Sequence, residues 1–94
     1  MENIVRLSFK KTSTNLAGYD YGIEVYEEQV RGKIDVQAPF IIEFPQEIKG
    51  IASSFVQGFF ADIVGEIGLI ATEERATVKA GSERLEKSVI SKLQ

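Results

Sequence analysis

The sequence predicts an α/β domain with a small, mainly parallel sheet and helices packed on it. Strand-like and helix-like segments alternate along the chain, and the most apolar short segment, residues 39–45, has a proline at each end. Such alternation favours parallel strands joined by right-handed connections. Because the chain has 94 residues and no long Gly/Ser/Pro-rich linker, we expect residues 1–94 to form a single domain.

The first strand is predicted over residues 4–9, where apolar and polar residues alternate with the period of a half-buried strand. The first helix is predicted over residues 20–30. Three of its apolar residues share one helical face: Ile23, Tyr26 and Val30. Gly22 opposes this prediction, because glycine inside a helix costs about 1 kcal/mol relative to alanine. Gly32 is placed to end the helix.

The second strand is predicted over residues 39–45, and its continuous apolar character is typical of a strand covered on both faces. The strongest helix prediction covers residues 53–66, where two apolar stripes form a wide face. Ser53 and Ser54 lie where an N-cap is expected, and Gly68 lies where the helix should end. We expect one buried cluster from this strand and helix: Ile41, Ile42, Phe44, Phe55, Phe59, Phe60 and Ile63.

The third strand is predicted over residues 75–80, and its weak hydrophobicity favours a position at the edge of the sheet. The last helix is predicted over residues 82–93, with Ser82 as its N-cap. Its apolar residues lie on one face: Leu85, Val89 and Leu93.

The residue types that are absent exclude several classes of function. The chain has no Cys and no His, so it has no disulfide, no Cys/His zinc site and no imidazole-dependent catalytic triad. Neither of the glycine-rich phosphate-loop patterns occurs. No carboxylate pair is placed for acid–base catalysis. We therefore expect a protein that is not an enzyme and binds no cofactor or metal.

The charge and hydropathy patterns indicate which classes of partner and which cellular compartment to expect. The net charge of −3 and the lack of a basic face do not favour nucleic acid as a partner. No segment approaches the roughly 18 apolar residues of a membrane span. The first residues also lack the basic and apolar regions of a signal peptide. We expect a cytoplasmic protein that binds neither nucleic acid nor membrane.

Residues 42–55 form the most informative passage, because a buried strand leads through a short loop to two serines that begin a buried helix. One interpretation is structural, with a serine capping the helix. The other is functional. A hydroxyl at the positive end of a helix can carry a phosphate, which the free backbone N–H groups and the helix dipole would stabilise. Lys49 would then be a nearby cation.

This passage resembles the STAS domains of anti-sigma-factor antagonists, and most closely the compact STAS-like proteins of bacteria. The resemblance is carried by the strand at residues 40–44, by Ile51, by the pair Ser53-Ser54 and by the Phe-rich segment 55–60. By pattern and order it covers residues 4–93. In the antagonists the first serine, here Ser53, is phosphorylated by a histidine-kinase-like ATPase, and the phosphate abolishes partner binding. The aspartate before that serine is replaced here by Ala52, and the glycine after the serines by Phe55.

The resemblance implies a non-enzymatic regulatory module that binds another protein, a histidine-kinase-like ATPase. Ser53 and Ser54 are the candidate phosphorylation or switch residues. The candidate partner surface comprises the loop before the helix and the exposed side of the helix: Gln46, Glu47, Lys49, Gln57, Ala61 and Asp62. Two alternatives stay open at this point. One is a sensor of a small ligand, either a nucleotide or a lipid. The other is a mobile-element inhibitory protein that acts by occluding a host complex.

Overall fold

A computed structural model describes residues 2–93 and confirms an α/β fold with a small parallel sheet and helices packed on it. In chain order the described elements are β1 (Ile4–Arg6), β2 (Asn15–Leu16), α1 (Tyr19–Gln29), β3 (Phe40–Glu43), β4 (Gly50–Ile51), α2 (Ser53–Ile67), α3 (Leu69–Arg75), β5 (Ala76–Lys79) and α4 (Glu83–Ser91). The three strands and three helices predicted from the sequence are therefore present. The short elements β2, β4 and α3 are additional to the prediction.

The main sheet has the order β1-β3-β5, and both of its strand pairs are parallel. The pairing aligns Val5 with Ile42 and Ile42 with Val78, and all three side chains are buried. β5 lies at the edge of this sheet, as predicted. β2 and β4 form a separate parallel ladder.

The sheet buries only one of its faces, so the prediction that the second strand is covered on both faces is wrong. The chain adds β1, β3 and β5 one after another in a single direction across the sheet. Right-handed connections between strands added in this way place α1 and α2 on the same face of the sheet. Accordingly, Phe40 and Ile42 of β3 are buried, whereas Ile41 and Glu43 are half-buried. Ile41 therefore lies outside the buried cluster predicted for it. The other six predicted members are buried: Ile42, Phe44, Phe55, Phe59, Phe60 and Ile63.

Helices α1 and α2 approach each other closely at two glycines. A Cβ on Gly22 would lie 2.3 Å from the carbonyl oxygen of Phe55, and a Cβ on Gly58 would lie 2.0 Å from that of Tyr19. This contact explains why a glycine occupies the interior of α1 against its helix propensity. It also turns α1 so that Gly22 faces the core, while Ile23, predicted on the buried face, is only half-buried.

Phe59 lies at the centre of an aromatic cluster in the core. Its ring centroid is 5.0–6.2 Å from those of four other rings: Tyr26, Phe44, Phe55 and Phe60. Phe59 is 0% exposed. The phenylalanines of α2 are thus core residues, as their helical spacing predicts.

Side chains from two helices bond the backbone at the ends of both edge strands. The N–H of Leu7 donates to the carbonyl of Glu43, so the backbone groups of the next residue, Ser8, point away from β3. There the Gln29 side chain accepts from Ser8 N–H at 2.8 Å and donates to Ser8 C=O at 2.9 Å. At the opposite edge, the Glu86 carboxylate accepts from the N–H of Ala80 at 2.8 Å. β1 consequently ends at Arg6, before the predicted boundary at residue 9.

The predicted ends of two helices are confirmed. The Ser82 hydroxyl accepts from the N–H of Leu85 at 3.2 Å and caps α4. Gly68, with φ of 87°, ends α2 and precedes α3. Within residues 2–93 no single helix has both the length and the apolar character needed to cross a membrane. α2 and α3 meet those criteria only as a pair, which is bent by 108°.

Candidate functional site

The passage that leads to the two serines is held in place by the β2–β4 ladder. Leu16 pairs with Ile51, and both side chains are almost fully buried. The carbonyl of Leu16 also accepts from Ala52 N–H at 2.8 Å, and the carbonyl of Thr14 accepts from Lys49 N–H at 2.6 Å. Because β2 precedes α1 and β4 precedes α2, the ladder places the N-termini of these two helices side by side.

The two serines have different environments, and neither is the N-cap that the sequence predicts. Ala52 occupies the N-cap position without a side-chain cap bond, and Ser53 is the first helical residue. The Ser54 hydroxyl accepts from the N–H of Gly18 at 3.0 Å and so joins the start of α2 to the start of α1. Ser53 is exposed. The structure therefore gives Ser54 a structural contact and leaves Ser53 accessible to another molecule.

The start of α2 is electrostatically suited to a negative charge. The N–H groups in the first turn of a helix lack partners within the helix and form the positive end of its dipole. α2 has no acidic residue in its first turn. Lys49, the cation expected nearby, donates from its Nζ to the carbonyl of Gln46 at 3.4 Å. A phosphate on Ser53 would therefore meet backbone donors and no carboxylate from the same turn.

Part of the exposed side of α2 carries no charged residue. Residues of this part share one helical face and are small or neutral: Ser53, Ser54, Gln57, Ala61, Val64 and Gly65. The two charged residues of α2, Asp62 and Glu66, are also exposed but lie beside this face, where each makes a contact. Asp62 pairs with Arg31 at 3.2 Å, and the Glu66 carboxylate accepts from the Gln37 side chain at 3.3 Å. Of the predicted partner residues on this helix, Gln57 and Ala61 lie on the uncharged face, and Asp62 is tied to Arg31.

An electrostatic cluster beside this face joins the ends of α1 and α2. Arg31 donates from Nε to Glu27 at 2.6 Å, and this hydrogen bond lowers the pKa of Glu27. The Arg31 guanidinium also lies 5.5 Å from the centre of the Tyr26 ring. Burial, followed by the charge of Asp62, raises the pKa of Tyr26. The sequence reasoning missed this cluster, although the spacing of four residues between Glu27 and Arg31 indicates a helical ion pair.

The predicted loop residues do not share one surface, although Gln46, Glu47 and Lys49 are all exposed. Glu47 lines a cleft of about 420 Å³ whose walls include Phe9 and Lys10. Lys49 instead lines a pocket between β4 and α4. The loop therefore separates two concave surfaces.

Comparison with protein-family models, curated proteins and solved structures finds no match to this chain. Among residues 2–93, no group of three His, Cys, Asp or Glu side chains is placed to hold a metal ion.

Proposed function

We propose that this protein is a regulatory, STAS-like protein-binding module. In this proposal a partner docks on the exposed face of α2, and a phosphate on Ser53 ends the binding. The observation that carries the proposal is the uncharged face of α2, in a chain of which 27% of the residues are charged. The cores of protein interfaces are depleted of charged residues relative to the rest of the surface.

The exposed residues of the other long helices show the contrast. α1 exposes Glu24 and Glu28, and α4 exposes Arg84 and Lys87, whereas α2 has its two exposed charges, Asp62 and Glu66, to one side of its uncharged face. α1 and α4 have the charged surface expected of contact with water. The exposed face of α2 is therefore not explained by a general lack of charge in this protein.

The small side chains of α2 also allow a partner to approach the helix backbone. No heavy atom lies within 4 Å of the position that a Cβ on Gly65 would occupy. Ser53, Ala61 and Gly65 have short side chains or none, so few side chains project far from this face. A neutral helix face with mostly small side chains suits close packing against an element of another protein.

The position of Ser53 supports a switch at the end of this face. A phosphate adds about −1.5 to −2 charges at neutral pH. The domain should remain folded, because the start of α2 favours negative charge. A partner that covers Ser53 would however have to desolvate the phosphate, which weakens binding.

The resemblance supports a histidine-kinase-like ATPase as both partner and kinase. In the modification step, Oγ of Ser53 attacks the γ-phosphorus of ATP. A new O–P bond forms, the bond to the bridging oxygen of ADP breaks, and the hydroxyl proton is lost to solvent or a base on the kinase. This module then supplies the phosphate acceptor and the docking face, while the ATPase supplies the chemistry.

Calorimetry with a histidine-kinase-like ATPase from the same organism tests the docking face. Ser53→Asp and Gln57→Arg should each weaken binding at least tenfold, which corresponds to about 1.4 kcal/mol. Ser53→Ala should bind like the wild type. Glu28→Arg, on the charged face of α1, is the matched surface control and should also bind normally. Equal affinities for the wild type, Ser53→Ala and Ser53→Asp would reject the switch.

Mass spectrometry after incubation with the ATPase and ATP tests the modification. The phosphate should be found on Ser53 in the wild type and in Ser54→Ala, and no phosphorylation should occur in Ser53→Ala. A phosphate located on Ser54 would contradict the proposal, because the Ser54 hydroxyl bonds to the start of α1.

A further inference from the structure

A pocket between β4 and α4 gathers positive charge in an otherwise acidic protein. Three basic residues line it, Lys49, Arg84 and Lys92, together with Ser82 and Ser88. No acidic residue of the described chain is part of its lining. The whole protein has 14 acidic and 11 basic residues, so this arrangement runs against its composition.

The three cations have no carboxylate partner among residues 2–93, where the ion pairs involve other basic residues. The two carboxylates nearest in sequence to Arg84 are engaged elsewhere. Glu83 pairs with Lys87 at 3.1 Å, and Glu86 accepts from Ala80 N–H at 2.8 Å. Like charges around one concave surface repel each other and together attract an anion.

The hydrogen-bonding groups of the pocket suit an anion with several oxygens. The ammonium group of Lys92 donates to the carbonyl of Ile51 at 2.6 Å, which holds the side chain in place and leaves two of its three donors free. Arg84 offers a planar set of donors that can bind two phosphate oxygens at once. Ser82, the N-cap of α4, and Leu85 in its first turn also line the pocket, and the two carboxylates of that turn, Glu83 and Glu86, make the contacts described above.

The size of the pocket limits what it can enclose. Its volume of about 220 Å³ corresponds to roughly seven water molecules at about 30 Å³ each. This volume holds a phosphate group and leaves the remainder of a larger ligand outside. We infer that the pocket binds the phosphate monoester group of a ligand, which is either a small metabolite or a lipid headgroup. The inference uses neither Ser53 nor the docking face, so it stands or fails independently of the proposed function.

Amide NMR of the ¹⁵N-labelled protein tests the inference, with glycerol 3-phosphate added at constant ionic strength. We expect saturable shifts confined to the amides of residues 49–51 and 82–85. Arg84→Gln should weaken this binding at least tenfold, and Lys49→Gln should also weaken it. Lys79→Gln is the matched control and should bind like the wild type, because it removes an exposed cation that lies outside the pocket and has no ion pair among residues 2–93.

A vesicle assay distinguishes the two sources of the phosphate. Vesicles of phosphatidylcholine with phosphatidic acid are compared with vesicles of phosphatidylcholine alone. Saturable binding of glycerol 3-phosphate identifies a small metabolite as a sufficient ligand. Binding only to the phosphatidic acid vesicles, lost in Arg84→Gln and kept in Lys79→Gln, identifies a lipid headgroup. If neither probe binds, or if Arg84→Gln and Lys79→Gln weaken binding equally, the pocket is not a phosphate site.

Discussion

Replacing Gly58 with alanine tests the close contact between α1 and α2. The added Cβ would lie 2.0 Å from the carbonyl oxygen of Tyr19, whereas real Cβ atoms are essentially never closer than 3.0 Å to such an atom. Because the obstructing atom belongs to the backbone, the helices must separate by about 1 Å or more. That shift would loosen the contact between the Tyr26 and Phe59 rings, whose centroids are 6.0 Å apart. Overpacking of this kind costs about 1–3 kcal/mol, and the better helix propensity of alanine offsets up to about 1 kcal/mol.

We therefore expect Gly58→Ala to lower the free energy of unfolding by about 2 kcal/mol, since a backbone clash lies at the upper end of that range. Gly65→Ala in the same helix is the matched control, because its Cβ would have no heavy atom within 4 Å. It should be neutral or stabilising by up to about 1 kcal/mol. Thermal unfolding followed by circular dichroism measures both, and 1 kcal/mol changes Tm by about 4–8 °C in a domain of this size. A Tm for Gly58→Ala equal to or above that of the wild type would refute the close approach of the helices.

Three further predictions concern single side chains. Ser54→Ala should lower the free energy of unfolding by about 1 kcal/mol, because it leaves an N–H at the start of α1 without its acceptor. Ser53→Ala, which removes no cap bond, should change it by less than about 0.5 kcal/mol, and equal losses in urea denaturation would contradict this distinction. Phe59→Ala should cost about 3–5 kcal/mol in the same assay, and a loss below about 1 kcal/mol would be incompatible with its central burial. Arg31→Gln should raise the pKa of Glu27 towards its ordinary value of 4.5, as measured by NMR titration. Because the folded-state pKa is lowered, the stabilising effect of this carboxylate is complete above its ordinary pKa and is lost as the pH falls through the folded-state value. An unchanged pKa in the variant would show that Arg31 is not the cause.

The elements that the sequence predicts well are those whose own residues repeat a pattern. The apolar stripes of α2 specify a buried helix over most of its length, and the apolar run around Ile42 specifies the central strand. β2 and β4 have two residues each, which is too short for any period. Their pairing depends on which distant segment lies beside them in the fold, and no local sequence pattern indicates it.

The details of the candidate site depend on contacts between distant segments. A serine beside a helix start predicts an N-cap, but the backbone bond from Ala52 to Leu16 moves the cap position one residue earlier. The neutral character of the exposed α2 face was present in the sequence as Gln57 and its small neighbours. The pocket around Arg84 could not be predicted from the sequence, because its cations come from a loop and a helix that the fold brings together.

The bonds that Gln29 and Glu86 make at the sheet margins have a consequence for self-association. An unprotected strand edge is a template for pairing with another chain and a starting point for aggregation. Here the outer strands have 3 and 4 residues, and the backbone groups that follow them are already bonded by these two side chains. A foreign strand would find few free donors and acceptors at either margin. Each protecting side chain belongs to the long helix that comes after its strand, so this protection against fibril-like growth depends on contacts within one strand–helix segment of the chain.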